Sequence, residues 1–168
     1  MSNHLRCLGV AAFLVGGCAT SVQAREAVAV APNLPPGEII ISQHARRLYL
    51  TMGGGWALAY PVAVAKRGKE WRGMARIDGK YVNPAWSPPD SVQRDHPELP
   101  RFIAGGSPHN PMGVRALTLD RDEIAIHGTN RPASIGAAVS YGCIRMHNAD
   151  VIDLYDRVSV GTPVIMVP

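Results

Sequence analysis

The chain has 168 residues, 46% of them hydrophobic and 18% charged, with a formal net charge of +4. That length suits one domain able to bury a real core. A charge this mild, without a dense basic stripe, excludes nucleic acid as the expected partner.

Residues 1–24 read as an export signal. Met1 to Arg6 form a short, weakly basic start, and Cys7 to Gly17 an apolar run of the length of a signal core. The run is too short for a bilayer, which needs about 20 apolar residues. Two processing sites compete. Val22-Gln23-Ala24 carries small residues where a signal peptidase wants them, and Leu14-Val15-Gly16-Gly17-Cys18 resembles a bacterial lipobox, whose cysteine is lipidated. Either route exports the domain, with membrane contact only through a lipid on Cys18. Residues 25–37, with Pro32, Pro35 and Pro36 and no apolar period, read as a linker. The domain proper is expected over 38–168.

From Glu38 the pattern is β. Glu38 to Ser42, Arg47 to Met52 and Trp56 to Val64 predict three strands, with Gly53-Gly54-Gly55 turning the second into the third. Lys66, Arg67, Lys69, Arg72, Arg76 and Lys80 form a basic stretch with Trp71 in it. It is either a solvated loop and strand face or a surface attracted to an anionic polymer. Gly73 to Val82 predicts a further strand. Pro84 to Pro100 holds five prolines with one helical turn near Asp90 to Arg94, and is either a lid or a rigid cover. Val114 to Leu119 and Glu123 to Ile126 predict strands joined by Asp120-Arg121-Asp122, which leaves His127 at a strand exit. Arg131 to Ile135 predicts a helical turn with Pro132 near its start. Asn148 is the expected N-cap of a helix whose Val151, Leu154, Tyr155 and Val158 share one face. Pro163 to Val167 closes the chain as a strand. The sum is a mostly-β barrel or sandwich with one or two short helices.

Of the three cysteines, Cys7 and Cys18 lie in the signal, so Cys143 has no internal disulfide partner. In an oxidising compartment a lone thiol is a liability unless it is buried or used. Its neighbours suggest use. A free thiol has a pKa near 8.5, and the thiolate is the nucleophile. A histidine that takes the proton is the usual solution. His127 precedes Cys143 by 16 residues across a glycine-rich connection. Gly142 lets backbone approach a substrate closely, and amides beside Cys143 suit the oxyanion of a tetrahedral intermediate. No carboxylate flanks His127, so the group that orients its ring is expected to be a backbone carbonyl, with Gly128 nearest. Cys143, His147 and His127 offer only three ligands without the paired spacing of structural zinc sites. His44, His96 and His109 read as surface residues. Arg145 either fastens the helix start through Asp150 or receives a substrate carboxylate. Thr129 and Asn130 either brace their loop or touch substrate.

His127-Gly128-Thr129-Asn130 together with Ser140-Tyr141-Gly142-Cys143-Ile144-Arg145-Met146 resembles the signature of the L,D-transpeptidase (YkuD-like) catalytic domain of bacterial cell-wall enzymes. Ile41-Ser42-Gln43, Arg47-Leu48-Tyr49-Leu50, Asn110-Pro111-Met112-Gly113 and Asp150-Val151-Ile152-Asp153-Leu154 are similar to other parts of that domain, so the likeness runs from about Glu38 to Val167. It implies Cys143 as nucleophile, His127 as catalytic histidine, Gly128 as its orienting carbonyl, and matches to the family's Ser, Gly and Arg at Ser140, Gly142 and Arg145. Arg145, Asn130, Thr129 and Tyr141 are the expected substrate contacts. The family often has a second histidine where Tyr141 stands, and a phenol with a pKa near 10 is a poor base at neutral pH. The resemblance further implies acyl transfer at the diaminopimelate–D-alanine bond of peptidoglycan stem peptides in the periplasm. The acceptor is a second stem (a 3→3 cross-link), an outer-membrane lipoprotein or water, and neither metal nor organic cofactor is needed. A wall hydrolase using the same site and a wall-binding module with a silent cysteine are the alternatives.

Overall fold

The computed structural model describes residues 25–121 and 123–168; the expected export signal with Cys7, Cys18 and both candidate processing sites lies outside the described residues, as does Asp122 of one predicted turn. Strands β2 (Ile39–Ser42), β3 (Arg47–Gly53) and β4 (Trp56–Ala65) form consecutive antiparallel pairs. Their register explains the apolar spacing: Ile39 faces Leu50 and Ile41 faces Leu48, and all four are buried. Gly53, Gly54 and Gly55 all take positive φ (78°, 61° and 80°), which side chains with a Cβ resist.

Five more strands complete a circuit: β5 (Gly73–Val82), β6 (Arg115–Leu119), β7 (Ala125–His127), β9 (Ile144–Met146) and β10 (Pro163–Val167). The order β4-β3-β2-β10-β5-β6-β7-β9 is closed by a β4–β9 pairing, so the sheet returns on itself. This is the mostly-β barrel expected. β10 is its keystone, parallel to β2 and antiparallel to β5. Helix α2 (Asn148–Arg157) lies on β6 and β7 with Val151 and Leu154 buried, and Val158 follows them into the core.

Three local expectations change. Glu26–Ala29, inside the stretch read as a linker, forms β1 against β4. Its side chains stay largely exposed, so no apolar period marked it. Backbone bonds to an open strand edge hold it, with an Arg47–Glu26 ion pair at 2.8 Å. Ala138–Ser140 (β8), where no strand was expected, pairs parallel to β4, so strands lie on both sides of Cys143. Finally, His147 rather than Asn148 takes the N-cap position of α2. The Asn148 Oδ1 is engaged elsewhere, accepting the Thr129 N–H at 3.0 Å.

The proline-rich segment is pinned at its base. Trp86 and Ile103 exchange two backbone hydrogen bonds (2.9 and 2.7 Å), and the Asn110 side-chain amide donates to the Pro84 and Ala104 carbonyls. Its tip carries α1 (Asp90–Asp95).

One polar cluster ties helix to barrel. The buried Tyr60 donates to Asp153 at 2.7 Å, and Asp153 also takes Arg157 (2.9 and 3.0 Å) and Arg25 (2.5 Å). Arg157, with help from Tyr60 and Arg25, holds the Asp153 carboxyl well below its ordinary range, whereas burial and then Asp153 push the Tyr60 phenol up. A depressed carboxyl stabilises the fold at neutral pH, and that contribution fades as pH falls below the ordinary aspartate pKa of about 3.9. Asp153→Ala strands the Tyr60 hydroxyl and is expected to cost about 1–3 kcal/mol, read as a lower urea midpoint. An unchanged midpoint would mean that the cluster is ornamental.

Candidate active site

β7 and β9 run parallel, with Ile126 opposite Ile144 and His127 opposite Arg145. Ile126, Ile144 and Met146 are fully buried in the core. Side chains alternate along a strand, so His127 and Arg145 turn to the opposite face. Cys143, two residues before Arg145, joins them there. Electrostatics report the same grouping, since the Arg145 charge acts on both His127 and Cys143. Two parallel strand ends thus set a thiol, an imidazole and a guanidinium on one face.

The imidazole is held from behind. His127 is only 4% exposed, and its Nδ1 lies 2.7 Å from the Gly128 carbonyl. A carbonyl only accepts, so Nδ1 carries the proton and Nε2 is the basic nitrogen. Burial, and then Arg145, depress the ring to about 4, against the opposing pull of the Gly128 and Pro111 carbonyls. The ring is therefore neutral at pH 7. Gly128 permits this tight packing: a Cβ there would lie 2.2 Å from Asn148 Oδ1.

The thiol is half-buried and free. Burial pushes its pKa up, against the Ala125 amide and Arg145. Its hydrogen bond in this structure goes to the Glu123 carbonyl at 3.5 Å, and among the described residues none links it to His127. The pair is thus neutral at rest, with no hydrogen bond between its members. The turn around the thiol is tightly braced. The Ser140 hydroxyl donates to the Cys143 carbonyl at 2.5 Å and accepts the Gly142 N–H at 3.2 Å. Gly142 has φ +131°, and a Cβ on it would lie 2.5 Å from Ile124 Cδ1.

Arg145 is half-buried, and burial lowers its pKa. Among the described residues it has no carboxylate within 4.0 Å, so the tether to Asp150, one of the two roles open to it, is not formed. Thr129 and Asn130 brace: Thr129 accepts the Arg131 N–H and donates its own N–H to Asn148, and Asn130 donates to the His109 carbonyl. Both also line a cavity of about 350 Å³ with Asn83, Ser107, Asn110 and Asn148. Tyr141 points to the proline-rich segment, donating to Asp95 at 2.6 Å under the Lys66 ammonium, 3.6 Å from its ring centre. The segment therefore docks two residues from the thiol. Among the described residues no group of three or more His, Cys, Asp or Glu is placed to hold a metal ion.

One residue escaped the sequence reading. Trp71 is buried, and its indole N–H donates to the Gly142 carbonyl at 3.1 Å. Its place in a basic stretch hid it. Its parity with Ala75 and Ile77, the buried positions of β5, was the available signal.

The family model of the L,D-transpeptidase catalytic domain matches residues 36–166. Among curated relatives, the Escherichia coli K12 protein named "Probable L,D-transpeptidase YbiS" is 32% identical over 164 residues, covering 93% of this chain and 52% of that protein. This chain thus spans about half the length of that relative. Among solved structures, an L,D-transpeptidase from Mycobacterium smegmatis superposes with a TM-score of 0.62 at 20% identity over 77% of this chain and 58% of that one, a likeness of fold. A Brucella melitensis chain described as a probable carnitine operon oxidoreductase is 38% identical, covering 85% of this chain and 92% of that one, with a TM-score of 0.56. That description belongs to the Brucella chain; the Gly-x-Gly-x-x-Gly dinucleotide turn does not occur in the present sequence. The closed barrel, the strand pair that gathers cysteine and histidine, and a family match from end to end of the barrel agree: this chain belongs to the L,D-transpeptidase (YkuD) catalytic domain family.

Proposed function

We propose that this protein is a peptidoglycan L,D-transpeptidase that works by cysteine acyl transfer. The observation that carries the reading is the β7–β9 register, which sets His127 opposite Arg145, with Cys143 at the entry to β9.

The chemistry follows from these groups. Cys143 swings from the Glu123 carbonyl toward His127, and Nε2 takes the thiol proton as sulfur attacks the carbonyl of the diaminopimelate–D-alanine bond. The oxyanion is held by main-chain N–H at the Gly142–Cys143 turn. Collapse breaks the C–N bond, the imidazolium protonates the departing D-alanine amine, and a thioester remains on Cys143. An acceptor amine then attacks the thioester, and the thiol regains its proton. A half-buried guanidinium with no carboxylate beside it among the described residues suits a substrate carboxylate, a group that stem peptides carry. Ser140, Gly142 and Gly128 hold the catalytic groups, while Thr129, Asn130 and Tyr141 border the approach. The export signal read in residues 1–24 supports a periplasmic setting, with lipidation at Cys18 as one processing outcome, and an outer-membrane lipoprotein amine as one acceptor beside a second stem.

The test is incubation of purified protein with disaccharide-tetrapeptide muropeptides, followed by product masses. A dimer formed with loss of D-alanine is the expected product. Tripeptide monomers alone identify a hydrolase, and unchanged substrate with a free thiol identifies a silent wall-binding module.

A further inference from the structure

We propose that Trp71 is a positioning residue that sets the oxyanion donor of this site. The inference rests on the acyl-transfer reading and adds to it a residue far away in sequence.

Four main-chain polar groups surround the nucleophile: N–H and C=O of Gly142, and N–H and C=O of Cys143. Ser140 engages two of them, accepting the Gly142 N–H and donating to the Cys143 carbonyl. Trp71 engages a third, the Gly142 carbonyl, at 3.1 Å. The fourth, the Cys143 N–H, has no backbone or side-chain acceptor among the described residues. It is the donor left over for a developing negative charge.

The Gly142 carbonyl and the Cys143 N–H belong to one peptide unit. That unit is planar and trans, so the two groups point in opposite directions. Fixing the carbonyl therefore fixes the N–H. An indole N–H is a pure donor, so the bond to Trp71 is made in one sense only. Gly142 makes such a clamp necessary. At φ +131° and without a Cβ, its flanking peptide planes rotate more freely than those of any other residue. The clamp is itself well seated. The Trp71 ring is buried on one side and capped on the other by the Arg121 guanidinium, 4.8 Å from the ring centre. Preorganised donors help catalysis because they need not reorient as charge develops. Trp71 supplies that preorganisation without touching substrate.

Two thiol reactions separate this role from simple support of the fold. Acylation by a carbapenem passes through a tetrahedral oxyanion, whereas alkylation by iodoacetamide displaces iodide and forms none. Both remove the thiol proton as sulfur attacks. The proteins compared are wild type, Trp71→Phe, and a form whose residue 71 carries benzothiophene in place of indole, keeping two fused rings but no N–H. Acylation is expected to fall about tenfold in both altered proteins, less than the 10²–10³ seen when an oxyanion donor is removed outright. Alkylation is expected to stay within about twofold. Equal acylation rates for wild type and the benzothiophene form would overturn the proposal, as would a parallel fall in both reactions, which marks general damage. Wild type that takes iodoacetamide but never an acyl group would instead overturn the acyl-transfer reading beneath it.

Discussion

Replacing Cys143 by serine is expected to abolish acyl transfer and leave the fold intact. The side chains differ by one atom, and the turn that holds residue 143 is braced through main-chain groups, by Ser140 and Trp71, rather than through sulfur. The chemistry differs far more. His127, depressed to about 4, is a weak base. It can accept a proton from a thiol, whose ordinary pKa near 8.5 lies within reach, but an alcohol is a much weaker acid. Burial already raises the thiol above its usual value, so no reserve exists for a harder deprotonation. Loss on the order of 10⁴-fold or more is expected, the scale on which a nucleophile acting as part of a unit is felt. The measurement is mass gain on carbapenem treatment with muropeptide turnover alongside, and an unchanged melting temperature as the control. A Cys143→Ser protein that still accumulates the acyl adduct would exclude Cys143 as nucleophile.

His127→Gln carries the second large effect. Glutamine keeps much of the volume and an N–H for the Gly128 carbonyl, so it avoids the cavity that alanine would leave, but it cannot take a proton. A loss of about 10²–10⁴-fold is expected, the usual worth of a general base. The wild-type pH profile makes the claim sharper. Because burial and Arg145 lower the imidazole in the folded protein, the base stays unprotonated until pH falls to about 4. The acidic limb of kcat/KM, which reports the free enzyme, is therefore expected near pH 4 rather than near 6.5, and to vanish in His127→Gln. A limb at 6.5 in wild type would show that the ring is solvated in the working protein. A variant with the wild-type profile would assign the base elsewhere. The thiol starts protonated at neutral pH, so proton transfer accompanies attack instead of preceding it as a stored thiolate–imidazolium pair.

The elements legible in sequence share one property: their signal is local. Strands β2, β3 and β4 announce themselves by alternation and by a glycine turn, and α2 by Val151, Leu154 and Val158 on one face. Cys143 and His127 stand out as candidates because each sits in a short run of residues whose types suit one chemistry. Strand β1 was not, because its residues stay exposed and its stability comes from hydrogen bonds to β4, which no side-chain pattern encodes. The role of Asn148 was misplaced for a related reason. A capping residue and a brace look identical until the Thr129 N–H arrives from 19 residues away.

The amino-acid order by itself therefore determined the β class of the fold, the family, and the two candidate reacting side chains, since these depend on periodicity and on residue type within short windows. Only the tertiary structure decided that β10 locks the barrel shut between β2 and β5, that His127 lies opposite Arg145, that Tyr141 meets the proline-rich segment through Asp95, and that Trp71 donates to the carbonyl of Gly142, next to Cys143. Each of these is a contact between distant segments, several of them made by main-chain groups that every residue carries. Such groups leave no mark in composition or spacing, and they acquire a partner only when the sheet closes.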